Sequence, residues 1–219
     1  IITVFILLFS LNFAVYFLLL TRKWREALSS DELRFFLLVV TGATILIAID
    51  IAPLYTSIWE SLRYSVFQVA SIISTTGFAT ADFVLWPHFS QTILVLLMFC
   101  GACAGSTGGG IKCSRVLILL RSIRREIHRV IHPRSVEVVK LDGKVVEEDT
   151  LRSISVFVGS YLFIILAATL IISLDDFPFS VSFSSALTCI SNVGPGLELV
   201  GPTGNFSAFS HLSKIVMSL

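Results

Sequence analysis

The sequence predicts an all-α membrane protein built from tandem repeats, each a long helix, a short helix, a glycine turn and another helix. Three observations predict it. The 219 residues are 55% hydrophobic and 14% charged, with a mean hydropathy of +0.88, whereas a soluble domain is about a quarter charged. Several apolar runs approach the ~20 residues that a spanning helix needs. The sequence of span, short helix and Gly turn occurs twice at nearly the same interval. This composition excludes a disordered chain. Sixteen Lys+Arg against fifteen Asp+Glu, a net charge of +1, exclude the strongly basic face that nucleic-acid binding requires.

Ile1–Leu20 is almost wholly apolar and long enough to span. A polar stretch, TRKWREALSSDELR, separates it from a second span, Leu33–Ile51, which Ala52-Pro53 breaks. Trp59–Ile73 is too polar and too short for a span, and STTGFATADF follows it. Gln91–Cys100 is half a span, interrupted by GACAGSTGGGIK, and apolar character resumes at Val116–Leu120 before a basic run. VEVVKLDGKVVEE alternates around Asp142-Gly143, a hairpin signal. Ser153–Leu174 is a clear span, Phe177–Ile190 is again short, SNVGPG follows, and a last helix begins near Ala208. Ile1 opens inside one apolar run and Leu219 closes inside another, so the chain is expected to be part of a longer membrane protein.

Charge orients these segments. Residues 21–34 and 121–152 hold twelve of the sixteen basic residues, whereas 53–90 and 175–210 hold only Arg63. Cytoplasmic loops carry the excess of Lys and Arg. STTGF and SNVGPG are therefore expected on the outer side, each reached by a segment too short to cross.

From Leu33 to Gly77 is 44 positions and from Leu151 to Gly194 is 43. Setting Gly77 on Gly194 pairs Ser65 with Ser182, Ser71 with Thr188, Ile73 with Ile190 and Ser74 with Ser191. Both repeats then share one orientation. Polar, non-helical backbone at membrane depth is tolerated only when buried in protein or lining a hydrated cavity. Gly77 and Gly194 permit positive φ, so successive carbonyls can face one side. A ring of carbonyls replaces the hydration shell of a monovalent cation, and the helices before each turn aim their negative ends at it. The expected filter residues are Thr75, Thr76, Gly77, Asn192, Val193 and Gly194, acting through backbone oxygens, with side chains of Thr75, Thr76 and Asn192 bracing the turns. One such turn alone would read as an ordinary outer loop; two in register favour a pore.

The second unusual element is the run from Gly101 to Lys112. Glycine costs about 1 kcal/mol against alanine inside a helix, so this run breaks the helix. It is not a phosphate-binding loop, because Ile111 rather than glycine precedes Lys112. A flexible plug fits better, with Gly105, Ser106, Thr107, Gly108, Gly109, Gly110 and Lys112 as gate residues. Lys112 at that depth needs water or a partner carbonyl, or it snorkels to the cytoplasmic end.

The other polar residues take structural roles in this reading. Asp50, Asp82, Asp175, Asp176 and Glu198 are caps and loop residues on the outer side. Trp59 and Trp86 suit the interfacial aromatic belt. His128 and His132 stand at i, i+4 spacing with no third ligand. Cys100, Cys103, Cys113 and Cys189 read as small packing residues rather than a zinc or redox site. No Ser/His/Asp or carboxylate pair is set for hydrolysis, so no enzyme is expected.

STTGFATADF, GACAGSTGGGIKCSR and SNVGPGLELVGPTGNF, in that order, resemble the signature segments of the Trk/Ktr/HKT superfamily of potassium uptake proteins, most of all its bacterial TrkH-type branch. The resemblance implies tandem membrane-helix/pore-helix/membrane-helix repeats with re-entrant selectivity-filter loops, four around one K+ pathway. Residues 1–20 would end a preceding repeat and 21–32 would be a cytoplasmic linker. Residues 33–131 would form the third repeat, 132–150 a cytoplasmic β-ribbon and 151–219 a truncated fourth repeat. Gly101–Lys112 would be the family's intramembrane gating loop, and the family's arginine below the filter would lie just beyond Leu219. The resemblance further implies K+ as transported ion with no organic cofactor, a bacterial inner membrane, a homodimer, and a cytosolic nucleotide-binding TrkA-type regulatory subunit. NVGPG in place of TTGF departs from the pattern and implies an asymmetric filter. The rivals are a Na+-dependent Ktr-type transporter and a secondary transporter with broken helices. The latter usually carries a charged midplane site and inverted repeats.

Overall fold

A computed structural model describes residues 1–132 and 137–218; Arg134, the start of the expected 132–150 ribbon and Leu219 lie outside the described residues. The described chain is mostly helical. In order it forms α1 (Ile2–Phe9), α2 (Phe13–Leu20), α3 (Trp24–Ser29), α4 (Asp31–Ile51), α5 (Ile58–Ile73), α6 (His88–Cys100) and α7 (Cys113–Ile131). A two-stranded ribbon, β1 (Lys140–Leu141) and β2 (Lys144–Val145), precedes α8 (Glu148–Ile172), α9 (Phe179–Ser191) and α10 (His211–Ser218).

Among the described residues, two unbroken stretches are long and apolar enough to cross a bilayer, Asp31–Leu54 and Glu148–Asp175. Each has one face in the core and one outside it. Phe36, Ile47 and Ile51 of α4 are buried, while Leu38, Ile45 and Ile49 are exposed. On α8, Ile165 and Ile172 are buried and Phe163, Leu166 and Leu170 exposed. Lipid is as apolar as these side chains, so packing rather than water exclusion must hold such helices together.

The first apolar run is not one helix. α1 and α2 meet at 95°, so the run expected to span is bent in its middle, although the two helices together are long and apolar enough to cross. Asn12 caps α2, its side chain accepting the Ala14 amide at 2.9 Å. The Ser10 hydroxyl bonds the Ile6 carbonyl at 2.7 Å. Both residues suit helix ends better than interiors.

The two repeats share a core. Phe36, Val69, Ile72, Leu94, Met98, Ile165 and Leu187 belong to one cluster drawn from α4, α5, α6, α8 and α9. The ribbon turns where expected: Asp142 and Gly143 both take positive φ, 50° and 75°, the pattern of the tight turn that matches strand twist. Val139, Ile118, Leu151 and Ile154 pack the ribbon against α7 and α8. Asp31 and Asp142 exchange backbone-to-carboxylate bonds of 2.6 and 3.0 Å, and Arg121 holds Asp31 at 2.7 Å.

Three of the acids expected on the outer side, Asp50, Asp82 and Asp175, act as caps. Asp50 accepts the Ser90 amide at 3.2 Å and its hydroxyl at 2.5 Å, satisfying a first-turn donor of α6 from a neighbouring helix. Asp82 accepts the Val84 amide and the Thr203 hydroxyl, and Asp175 the Ser210 amide. Asp50→Ala should lower the stability of the folded protein by about 1–2 kcal/mol, read as a lower apparent Tm in detergent with unchanged helical content. Trp86 is 4% exposed and donates to the Tyr55 hydroxyl at 3.2 Å, so it packs inside the protein, whereas Trp59 is 75% exposed.

Candidate functional site

The short helices α5 and α9 end in the same way. The Thr75 amide bonds the Ile72 carbonyl and the Thr76 amide the Ser71 carbonyl, at 3.1 and 2.9 Å. In the second repeat the Asn192 amide bonds the Cys189 carbonyl and the Val193 amide the Thr188 carbonyl, also at 3.1 and 2.9 Å. This is the helix-ending motif that needs a left-handed residue. Thr75 and Asn192 supply it, with φ of 58° and 57°. Asparagine enters that region readily, but a β-branched threonine does so at a cost. Such strain persists where the surroundings fix it, and it gathers at functional positions. Here the Thr75 hydroxyl accepts the Gly109 amide at 2.7 Å.

Two residues past each left-handed residue stands a glycine of positive φ, Gly77 at 77° and Gly194 at 105°. The side chains paired in the sequence alignment hold the far limb of each turn. The Ser71 hydroxyl donates to the Phe78 carbonyl at 2.5 Å, and the Thr188 hydroxyl to the Pro195 carbonyl at 3.1 Å. Thr76 is braced by Ser74 at 2.7 Å, and the Ser191 hydroxyl meets the buried Tyr161 hydroxyl at 2.6 Å.

The turns touch. A Cβ on Gly194 would lie 4.0 Å from the Gly77 Cα, and one on Gly77 would strike the Val193 carbonyl. Thr76, Asn192 and Gly194 are exposed, and a cavity of about 370 Å³ opens beside Ser74, Thr76 and Thr107, with α1 on its other wall.

The Gly-rich run fills the space at the carbonyl ends of both short helices. A Cβ on Gly108 would sit 3.0 Å from the Ser74 carbonyl, and one on Gly109 would strike the Ser191 carbonyl. Its two ends meet: the Cys113 amide bonds the Ala102 carbonyl at 2.9 Å, and Cys100 and Cys113 sulfurs stand 3.6 Å apart. It is thus a closed surface-type loop folded inward, an Ω shape. Lys112 takes the partner-carbonyl option, its Nζ on the Gly108 carbonyl, while the Arg115 guanidinium lies 4.3 Å over the Phe157 ring.

The loop is more tightly held than a flexible plug. Besides Thr75, the Ser10 carbonyl accepts the Cys103 amide at 3.1 Å and the Phe13 amide donates to the Gly105 carbonyl at 3.3 Å. Glu32 accepts the amides of Ala104 and Ser114 at 2.6 and 3.1 Å. Ser10, Asn12 and Glu32 escaped sequence reasoning. Only the polarity of Ser10 and Asn12 inside an apolar run hinted at them. His128 and His132 rings stand 4.7 Å apart with Glu137 at 3.0 Å from His128, and among the described residues no metal-holding group forms.

Comparison with known proteins follows the same lines. A family model described as "TrkH: Cation transport protein" matches residues 1–219. The chain is 33% identical over 217 residues to the Trk system potassium uptake protein TrkG of Escherichia coli K12, covering 98% of the chain and 44% of that protein. It is 31% identical over 227 residues to the TrkH protein of Salmonella typhimurium, covering 99% and 45%. The crystal structure of the potassium transporter TrkH from Vibrio parahaemolyticus superposes with a TM-score of 0.85 at 28% identity, covering 98% of this chain and 47% of that one. The chain spans about half the length of the curated relatives it matches.

Proposed function

The chain belongs to the TrkH family of cation transport proteins, and from that premise we propose that it contributes two of the quarters of a K+ uptake pathway. In this reading Thr75–Gly77 and Asn192–Gly194 dip into the membrane from outside as re-entrant turns. Their backbone oxygens replace the water around K+, which no carboxylate is needed to do. The negative ends of α5 and α9 favour the cation. Gly105–Gly110 and Lys112 close the path on the inner side.

The observation that carries this is one of packing. Two turns with matching hydrogen bonds meet glycine to glycine, and the Gly-rich loop lies against the carbonyl ends of both helices behind them. A solvent-exposed outer loop would need neither the left-handed threonine nor the absence of side chains. The basic segments 21–34 and 121–152 support a ribbon on the cytoplasmic side, in a bacterial inner membrane on this reading. That face would receive a TrkA-type regulatory subunit, with the full protein a homodimer and no catalytic chemistry of its own.

The test is an ion-replacement map of the full-length protein. Rb+ or Cs+ density within coordination distance of the carbonyls flanking Gly77 and Gly194 is the expected result. Ion density confined to sites away from both glycines would reject the filter assignment.

A further inference from the structure

Resting on the gate assignment above, we propose that Glu32 positions the Gly-rich loop, its carboxylate tying both limbs of the loop to α4. Glu32 sits in the first turn of α4 and is 5% exposed. An acid is almost never so buried unless paired. Its Oε1 accepts the Ala104 amide at 2.6 Å on one limb and the Ser114 amide at 3.1 Å on the other. Its Oε2 accepts the Asn12 amide nitrogen at 3.3 Å.

Each partner would otherwise be hard to satisfy. Ser114 is the second residue of α7, and first-turn amides have no acceptor in their own helix. Glu32 is thus a cap supplied from elsewhere, with its charge at the positive end of the α7 dipole. Ala104 opens the stretch that crosses beneath the filter turns. Asn12 caps α2, so the bend between α1 and α2 joins the same carboxylate. The nearby cations make their direct contacts elsewhere, Lys112 on the Gly108 carbonyl and Arg115 on the Phe157 ring, and Lys112 reaches Glu32 only through its charge. One side chain therefore gathers the two limbs of the loop and the broken first helix. Bonds to an ionised acceptor are about twice as strong as neutral ones, so loop movement begins with their loss.

The experiment uses full-length protein in liposomes and reads basal uptake of radioactive Rb+ together with the Rb+/Na+ ratio. Glu32→Ala should raise basal uptake about tenfold, equivalent to about 1.4 kcal/mol, with the ion ratio unchanged; a merely misfolded protein would lose uptake or selectivity. Glu32→Gln keeps one oxygen for the two amides but sets its NH2 against that of Asn12, so a smaller rise is expected. Adding Asn12→Asp restores an acceptor for that NH2 and keeps the cap on Ala14, and should return uptake toward the starting level. Deletion of Gly105–Gly110 serves as reference. If the deletion raises uptake and Glu32→Ala does not, the role of Glu32 is overturned and the gate stands. If neither raises it, the gate assignment fails and Glu32 with it. Should Glu32→Ala not reach the membrane, the Gln variant decides: no rise, or no rescue by Asn12→Asp, overturns the proposal.

Discussion

Deleting Gly105–Gly110 from the full-length protein is expected to raise basal Rb+ uptake by roughly 30- to 150-fold. The estimate comes from the bonds the deletion removes. Three of them count here, Gly109 to the Thr75 hydroxyl, Gly105 to the Phe13 amide, and Gly108 to the Lys112 ammonium; the Ser106 bonds to the Cys103 carbonyl stay within the loop's first limb. Each is worth about 0.6–1 kcal/mol net in a membrane protein. Three give about 2–3 kcal/mol, and every 1.4 kcal/mol is tenfold. The shortened chain can still close. Cys103, Ala104, Ile111 and Lys112 remain to bridge Ala102 and Cys113, whose backbones already bond at 2.9 Å, and four residues suffice for a turn. Uptake that stays level or falls at normal expression means that the loop is not the barrier.

Gly77→Ser should lower the K+ over Na+ flux ratio about tenfold, the effect of about 1.4 kcal/mol of lost discrimination between the ions. Two causes act together. At φ 77° any side chain is strained, by roughly 1–2 kcal/mol. The new Cβ would also strike the Val193 carbonyl and come within 3.2 Å of Pro195 Cδ, so a proposed ion-binding oxygen must move. Gly194→Ser should do less. Its nearest neighbour is the Gly77 Cα at 4.0 Å, leaving space on that side, and only the backbone strain remains. Flux ratios for the two variants, measured side by side in liposomes, check the order. A larger loss at Gly194 would show that packing between the turns does not set selectivity.

The glycines were the legible part of the site. Gly77, Gly194 and the run from Gly101 to Gly110 stand out because glycine alone takes positive φ without steric cost and permits such close backbone approach. Asp142-Gly143 was legible for the same reason, and the long apolar runs gave α4 and α8. What stayed hidden depends on distant partners. Thr75 in a left-handed conformation runs against its own preference and is held in place by Gly109, 34 residues on. The bend at Ser10–Asn12 lies in a run apolar enough for one helix, and it is stitched to Cys103 and Gly105. Glu32 looks like one more charge in a polar linker until the Gly-rich loop and α7 bring the Ala104 and Ser114 amides to it. Trp86 is of an interface residue type, yet it is buried, with the half-buried Tyr55 as partner of its indole. Local sequence states what a residue tolerates; its burial is decided by whatever packs on it.

The bend between α1 and α2 and the Gly-rich loop complete each other's backbone bonding: Ser10 with Cys103, Phe13 with Gly105. Pulling them apart strands two carbonyls and two amides, at a cost of several kcal/mol for those that stay dry. For the proposed gate, opening would therefore be a wetting transition, in which solvent floods the gap and takes over the orphaned groups as the loop withdraws. Conduction should then depend on osmotic stress: solutes too large to follow water inside would favour the shut state.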